Sequence, residues 1–303
     1  MARPCGIGVQ LPEVERRVRW PELATMAHTA EAVGLDSIWV GDHLLYDLPD
    51  GSTRGPYEVW TTLSALAAIT ERVLLGPLVA SVGFHEPAML AKLASTVDEV
   101  SGGRLVVGLG AGWNEREYRA FGFPFDKRVA RFEEAFGLVR RLLAGEVVDH
   151  SGPFYSLERC VIDPPPVRPG GPPLMVGSIG PRMLAITLPH VKAWNVWFSQ
   201  YGNTPAGLER VVADVRRRCE EAGREPDEVH GTAAVYVQAP GGGGRTMGQD
   251  ASEVSPLAGE PRQVAEQLSA LAATGITHLQ VVLDPITVGG IEWLGEVLVA
   301  LDG

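Results

Sequence analysis

The chain has 303 residues, 45% of them apolar, which suits two ordinary domains or one large α/β barrel. A formal net charge of −11 shows no basic face for nucleic acid and disfavours anionic membranes. No stretch nears the ~18 apolar residues of a membrane span, "MARPCGIGVQ" lacks a signal-peptide core, and three separated cysteines (Cys5, Cys160, Cys219) without a CxxC pair fit a reducing, cytoplasmic setting.

Eight β-rich runs alternate with amphipathic stretches along the chain. The first strand, Gly6–Leu11, precedes a helix over about 21–33, which ends at Gly34. Asp36–Gly41 follows, then a long loop, "LLYDLPDGSTRGP", and a helix over about 57–70. Strand Val73–Ala80 leads to a helix over 87–100, with Leu93, Val97 and Val100 spaced as one face. Leu105–Gly110 is the fourth strand and 128–144 the next helix. A Pro/Gly-rich insertion at about 145–172 carries the signals of a small hairpin. Strands Pro173–Gly177, Ala193–Phe198, Gly231–Gln238 and His278–Asp284 then alternate with helices over about 181–189, 205–222, 261–274 and 290–301. The clearest unit is "VAEQLSALAATGITHLQVVLD", with Val264, Leu268 and Leu271 on one side and Gly275 as the cap. A glycine-rich loop at about 239–259, containing "GGGGR", reads as a mobile lid.

Helix, capping glycine and buried strand, repeated, mean a parallel sheet. Eight such units predict a single α/β domain over 1–303, a (β/α)8 TIM barrel with insertions at its C-terminal face. A doubly wound sheet would carry GxGxxG after its first strand; "LPEVERR" stands there instead.

Loops after strands gather at the C-terminal mouth, where this fold places its active sites. Asp42 and His43 end the second strand. An imidazole there can move protons near neutrality, with Asp42 orienting it or binding a ligand; in the plainer reading Asp42 caps the turn and His43 lines a wall. "GLGAGWNEREY" ends the fourth strand, and Gly110, Ala111, Gly112 and Asn114 either let a flat ligand approach the backbone or serve a packing turn. After the fifth strand, Gly177, Ser178, Ile179 and Gly180 offer amides before Pro181, and Arg182 adds a charge. This arrangement suits phosphate; the plain alternative leaves Arg182 in solvent. His85 reads as the residue leading into a helix. Around the sixth strand, alternation sends Trp194 and Val196 one way and Asn195 and Trp197 the other. No HxxxH spacing supports a metal site, and of the three lysines Lys92 and Lys127 fall on or before helices.

On "GLDSIWVGDHL", "SGGRLVVGLGAGWNEREYRAFGFPF", "PLMVGSIGPR" and "THLQVVLDP" the chain resembles the luciferase-like family. That family comprises bacterial luciferase-type flavin monooxygenases and deazaflavin (coenzyme F420)-dependent oxidoreductases, and "AGWNEREY" looks most like the deazaflavin branch. The resemblance implies a redox ring at the barrel mouth with His43 near its reactive atom and Asp42 in contact with it. It also implies a non-proline cis peptide behind the ring at Leu78–Val79, and cofactor contacts, phosphate included, from the loops after strands four and five. Lys192 stands where relatives carry an aspartate, and "TLPH" replaces an alanine-rich helix. Both departures bear on the strand-six contacts.

The function implied is F420-dependent hydride transfer to or from a small organic substrate, in a protein that forms a homodimer through its barrel helices. The alternative is an FMN-dependent monooxygenase fed by a separate flavin reductase. A reading of another class is a non-catalytic flavin-binding barrel.

Overall fold

The computed structural model describes residues 3–244 and 254–303. Its eight barrel strands are β1 (Gly6–Gln10), β2 (Ser37–Val40), β3 (Leu74–Pro77, resuming at Ala80–Ser81), β4 (Val107–Gly110), β5 (Leu174–Val176), β6 (Ala193–Val196), β7 (His230–Gln238) and β8 (His278–Asp284). All pair in parallel, in the order 3-2-1-8-7-6-5-4, and the second piece of β3 pairs with β4 to complete the circuit. Lower down, a bridge between Leu75 and Leu105 joins the same two elements. The sequence predicts one strand over 73–80. It is instead broken at Leu78–Val79, where the peptide is cis.

Helices α1 (Trp20–Ala32), α2 (Val59–Ile69), α3 (Pro87–Val100), α4 (Glu115–Phe121), α5 (Arg128–Leu143), α6 (Pro181–Thr187), α7 (Phe198–Tyr201), α8 (Pro205–Glu221), α9 (Pro261–Ala272) and α10 (Val288–Asp302) surround or cap the barrel. On α9, Val264, Leu268 and Leu271 are buried as their spacing predicts. On α3 the buried face is Leu90, Ala94, Val97 and Asp98, while Val100 is exposed. Leu93 is partly buried against the core, and the Asp98 carboxylate accepts from Arg168 Nε at 3.0 Å, which ties the 145–172 insertion to the barrel. The insertion carries a hairpin of Val148–Ser151 with Ser156–Cys160. The lid expected over 239–259 falls partly outside the described residues, Arg245 included.

The interior is layered. Near the closed end, the Trp39 indole donates to Ser37 Oγ at 2.7 Å, and Ser37 Oγ lies 2.6 Å from His278 Nε2. Burial holds the His278 pKa down at about 4, so this ring is neutral. Above it, Asn195 Nδ2 donates to Thr232 Oγ1 and Gln280 Oε1, both at 2.9 Å. These layers fill the lower part of the barrel with side chains.

Candidate active site

A cavity of about 400 Å³ occupies the mouth, within the usual range for small-molecule sites. Its reactive-looking wall is His43, immediately past β2. The His43 Nδ1 lies 3.0 Å from Glu117 Oε2 on α4, and Glu117 is fully buried. The other carboxylate oxygen accepts the amides of Leu44 at 2.5 Å and Leu45 at 3.2 Å. Three donors therefore converge on one carboxylate, which fixes the ring so that Nδ1 carries hydrogen toward Glu117 and Nε2 is left for the cavity. Burial works against charging the ring. The Glu117 hydrogen bond and the charges of Glu13, Glu117 and Asp42 outweigh it, and the His43 pKa lies above the ordinary histidine value. Tyr46 and Trp113 flank the imidazole, with ring centroids 4.7 and 5.7 Å away.

Asp42 does not orient His43. Its Oδ2 accepts the Ser81 amide at 2.8 Å and lies 3.3 Å from His85 Nε2. A buried carboxylate there satisfies the broken end of β3, and its influence on His43 is through charge alone. His85 immediately precedes Glu86 and α3, the helix-leading position expected of it.

The back wall is Leu78, Val79, Gly110, Ala111, Gly112 and Gly177, all lining the cavity. Two of these glycines are required by the protein itself: a Cβ on Gly110 or Gly177 would fall 2.8 or 2.5 Å from the Val79 side chain. Gly112 has φ +73°, and a Cβ there would meet Tyr118 Oη at 2.0 Å. The outcome is a wall of glycine backbone and small apolar side chains, against which a planar group can lie.

Of the remaining predicted residues, Ser178 lines the cavity. Its hydroxyl accepts the Gly180 amide at 3.1 Å, so one of the expected anion-binding amides is already engaged. Ile179 faces a neighbouring groove with Arg210. Arg182 turns away from the cavity and pairs with Glu133 at 2.9 Å. Asn114 caps α4 through Arg116 and donates to the Leu45 carbonyl at 3.3 Å, so it braces the His43 loop from behind. Trp194 on β6 is core, while Asn195 and, just past the strand, Trp197 line the cavity; the two tryptophans point opposite ways, as alternation predicts. Lys192 is exposed at the start of β6, the end remote from the mouth, so this departure does not touch the strand-six contacts.

Glu117, the carboxylate that holds His43, is not singled out by the sequence reading, although it lies inside the quoted "AGWNEREY". Among the described residues, no group of three or more His, Cys, Asp or Glu side chains is placed to hold a metal, and no helix is long and apolar enough to cross a membrane.

A family model described as luciferase-like monooxygenase matches residues 7–240. The phthiodiolone/phenolphthiodiolone dimycocerosates ketoreductase of Mycobacterium tuberculosis (strain ATCC 25618 / H37Rv) is 33% identical over 224 residues, which cover 68% of this chain and 58% of that protein. An F420-dependent secondary alcohol dehydrogenase, solved with an F420–acetone adduct, superposes with a TM-score of 0.83 at 20% identity, over 98% of this chain and 99% of its own. A monooxygenase from Streptomyces bottropensis gives 0.77 at 22% identity, over 98% and 100% of the two chains. At such identities the two structures speak to the fold. With the family match spanning most of its length, the chain belongs to the luciferase-like monooxygenase family, a family of oxidoreductases.

Proposed function

We propose that the protein is a coenzyme F420-dependent oxidoreductase that interconverts a carbonyl group and an alcohol on a small organic substrate. The observation that carries this reading is the His43–Glu117 pair, a ring held ready to be protonated with Nε2 toward an open cavity. Reduction of a carbonyl needs a hydride at the carbon and a proton at the oxygen, and an imidazole of raised pKa supplies the proton near neutral pH. A relative named as a ketoreductase, and a neighbour named as an F420-dependent alcohol dehydrogenase, support the same chemistry.

The residues present fit a tricyclic deazaflavin. Gly110, Ala111, Gly112 and Gly177 would lie against its plane with Leu78 and Val79 behind, and Ser178 would meet its polar chain. Bound there, the cofactor would supply hydride-transfer chemistry. The protein's own part is to orient, to exclude water and to move one proton. Tyr46, Trp113, Trp197 and Phe198 provide the apolar rim, and Glu117 stabilises the charged form of His43.

The test is a side-by-side titration of purified protein with F420 and with FMN, followed by cofactor fluorescence. Saturable binding of F420, and reduction of a ketone by the reduced cofactor, are expected. Binding of FMN alone would favour the monooxygenase reading. Retained F420 binding with no turnover of any carbonyl or alcohol would favour a non-catalytic barrel.

A further inference from the structure

One hydroxyl on the cavity wall has no part in holding His43. Ser81 closes the second piece of β3, lines the cavity and is 5% exposed. Its amide donates to the Asp42 carboxylate at 2.8 Å, so the backbone beneath it is held. Its Oγ lies 2.7 Å from the hydroxyl of Tyr118 on α4, and that hydroxyl donates to the Ala111 carbonyl at 3.1 Å. Tyr118 is fully buried and packs against Phe84 and Phe125. The two hydroxyls meet at Gly112, where a Cβ would fall 2.0 Å from Tyr118 Oη and 2.5 Å from Ser81 Oγ.

The direction of this chain follows from its hydrogens. A phenol and an alcohol carry one each, and a carbonyl carries none. With Ser81 donating to Tyr118 and Tyr118 to Ala111, two bonds form. If Tyr118 turned to Ser81 instead, the Ala111 carbonyl would lose its donor. Among the described residues Ser81 Oγ has no second acceptor for its own hydrogen. The protein by itself therefore favours the first arrangement, which spends the one hydroxyl hydrogen of Ser81 inside the wall and leaves its oxygen lone pairs for the cavity. The bland reading is a hydroxyl pair that only ties α4 to β3. It accounts for the buried Tyr118, but not for a partner that stands in the cavity wall.

We infer that Ser81 is a specificity-determining residue that accepts a hydrogen bond from an N–H or O–H group of the bound ligand, and that Tyr118 is the positioning residue that keeps it an acceptor. A simple ketone brings no such donor, and in the proposed reaction the hydroxyl of the matching alcohol is taken by His43. The donor is therefore an N–H on the edge of the cofactor ring or a further polar hydrogen on the substrate. A ligand group that can only accept, such as a carbonyl, meets lone pairs at this point of the wall and is disfavoured there. Deazaflavin and flavin rings both carry an imide N–H, so Ser81 does not separate F420 from FMN. The inference rests on the cavity being the site of the proposed reaction, not on which of the two cofactors fills it.

The test is a double-mutant cycle of Ser81→Ala, Tyr118→Phe and the two together. Ring fluorescence on titration with F420 gives cofactor affinity without turnover, and KM for a ketone is measured at saturating reduced F420. Ser81→Ala should weaken one of the two by about fivefold or more, the first if the donor is on the ring and the second if it is on the substrate. Tyr118→Phe should weaken the same quantity, because Ser81 can then turn its hydrogen into the cavity. The double variant should do no worse than Ser81→Ala alone. Unchanged affinity and KM in Ser81→Ala overturn the assignment, a result that stands even if Tyr118→Phe does not fold. Losses that multiply in the double variant overturn the role of Tyr118, which would then act through the packing of α4. Where the wild type binds FMN and not F420, the F420 reading falls and the same cycle is read on FMN fluorescence, with the same outcomes deciding it.

Discussion

Replacing Glu117 with Gln probes the proton-handling pair directly. The amide oxygen can still accept from Leu44 and Leu45, so the loop after β2 is retained. The other half of the side chain becomes an NH2 that faces the His43 Nδ1, two donors where the native pair has a donor and a carboxylate. The ring must shed its proton or change tautomer, and its pKa falls. A hydrogen bond to a charged group contributes about 1.5–3 kcal/mol, and about 1.4 kcal/mol is a factor of ten in rate. The proton-dependent step should therefore slow by about 10- to 100-fold near neutrality. The assay is single-turnover oxidation of reduced F420 by a ketone between pH 5 and 9. The rate should fall off at a lower pH in the variant than in the wild type, with cofactor affinity unchanged. Superimposable pH profiles would show that Glu117 does not set the protonation of His43, and the reasoning would fail.

Other expectations concern the frame. The His278 ring, held at about 4 by burial against an ordinary 6.5, is worth about 3 kcal/mol at about 1.4 kcal/mol per pH unit. The folded value is the lower one, so this contribution is whole above pH 6.5 and drains away as the pH falls toward 4. Urea unfolding should show the wild type losing about 3 kcal/mol more than His278→Asn between pH 7 and 4; parallel losses would contradict this. Gly112→Ala places a methyl 2.0 Å from Tyr118 Oη and 2.5 Å from Ser81 Oγ at a left-handed φ. It should lower stability by about 1–3 kcal/mol, visible as a fall of several degrees in Tm, and an unchanged Tm would refute it. Arg104 ties the C-terminal ends of α2 and α3 together through Ala67, Thr70, Val73 and Ser101. Arg104→Met should cost about 3 kcal/mol in denaturant unfolding, and a loss below about 1 kcal/mol would show those bonds to be dispensable.

The barrel was legible because its signals are local. Apolar runs, capping glycines and their eightfold recurrence are read within windows of some twenty residues, and β1 to β8 lie close to where those windows put them. The tryptophans of the β6 region show the same strength, since alternation alone puts Trp194 and Trp197 on opposite sides, and the structure places Trp194 in the core and Trp197 at the mouth. What escaped was relational. Glu117 is 74 residues from His43, and the seven-residue α4 that carries it is too short for a helical period to appear. Asp42, adjacent to His43 in the chain, looked like its partner; in an extended segment, neighbouring side chains point to opposite sides. Gly110 and Gly177 looked like concessions to a ligand, yet both also make room for Val79, which sits in the break of β3. Arg182 was expected at a phosphate beside Ser178, but the first turn of α6 swings it toward α5. In each instance the residue was visible and its partner was not.

The most direct measurement is single-turnover reaction of ketone with reduced F420 bound to His43→Ala. With the cofactor held as tightly as in the wild type, the variant should react at least 100-fold more slowly at neutral pH. A variant that reacts as fast as the wild type would remove the imidazole from the chemistry, and the proposed proton transfer with it.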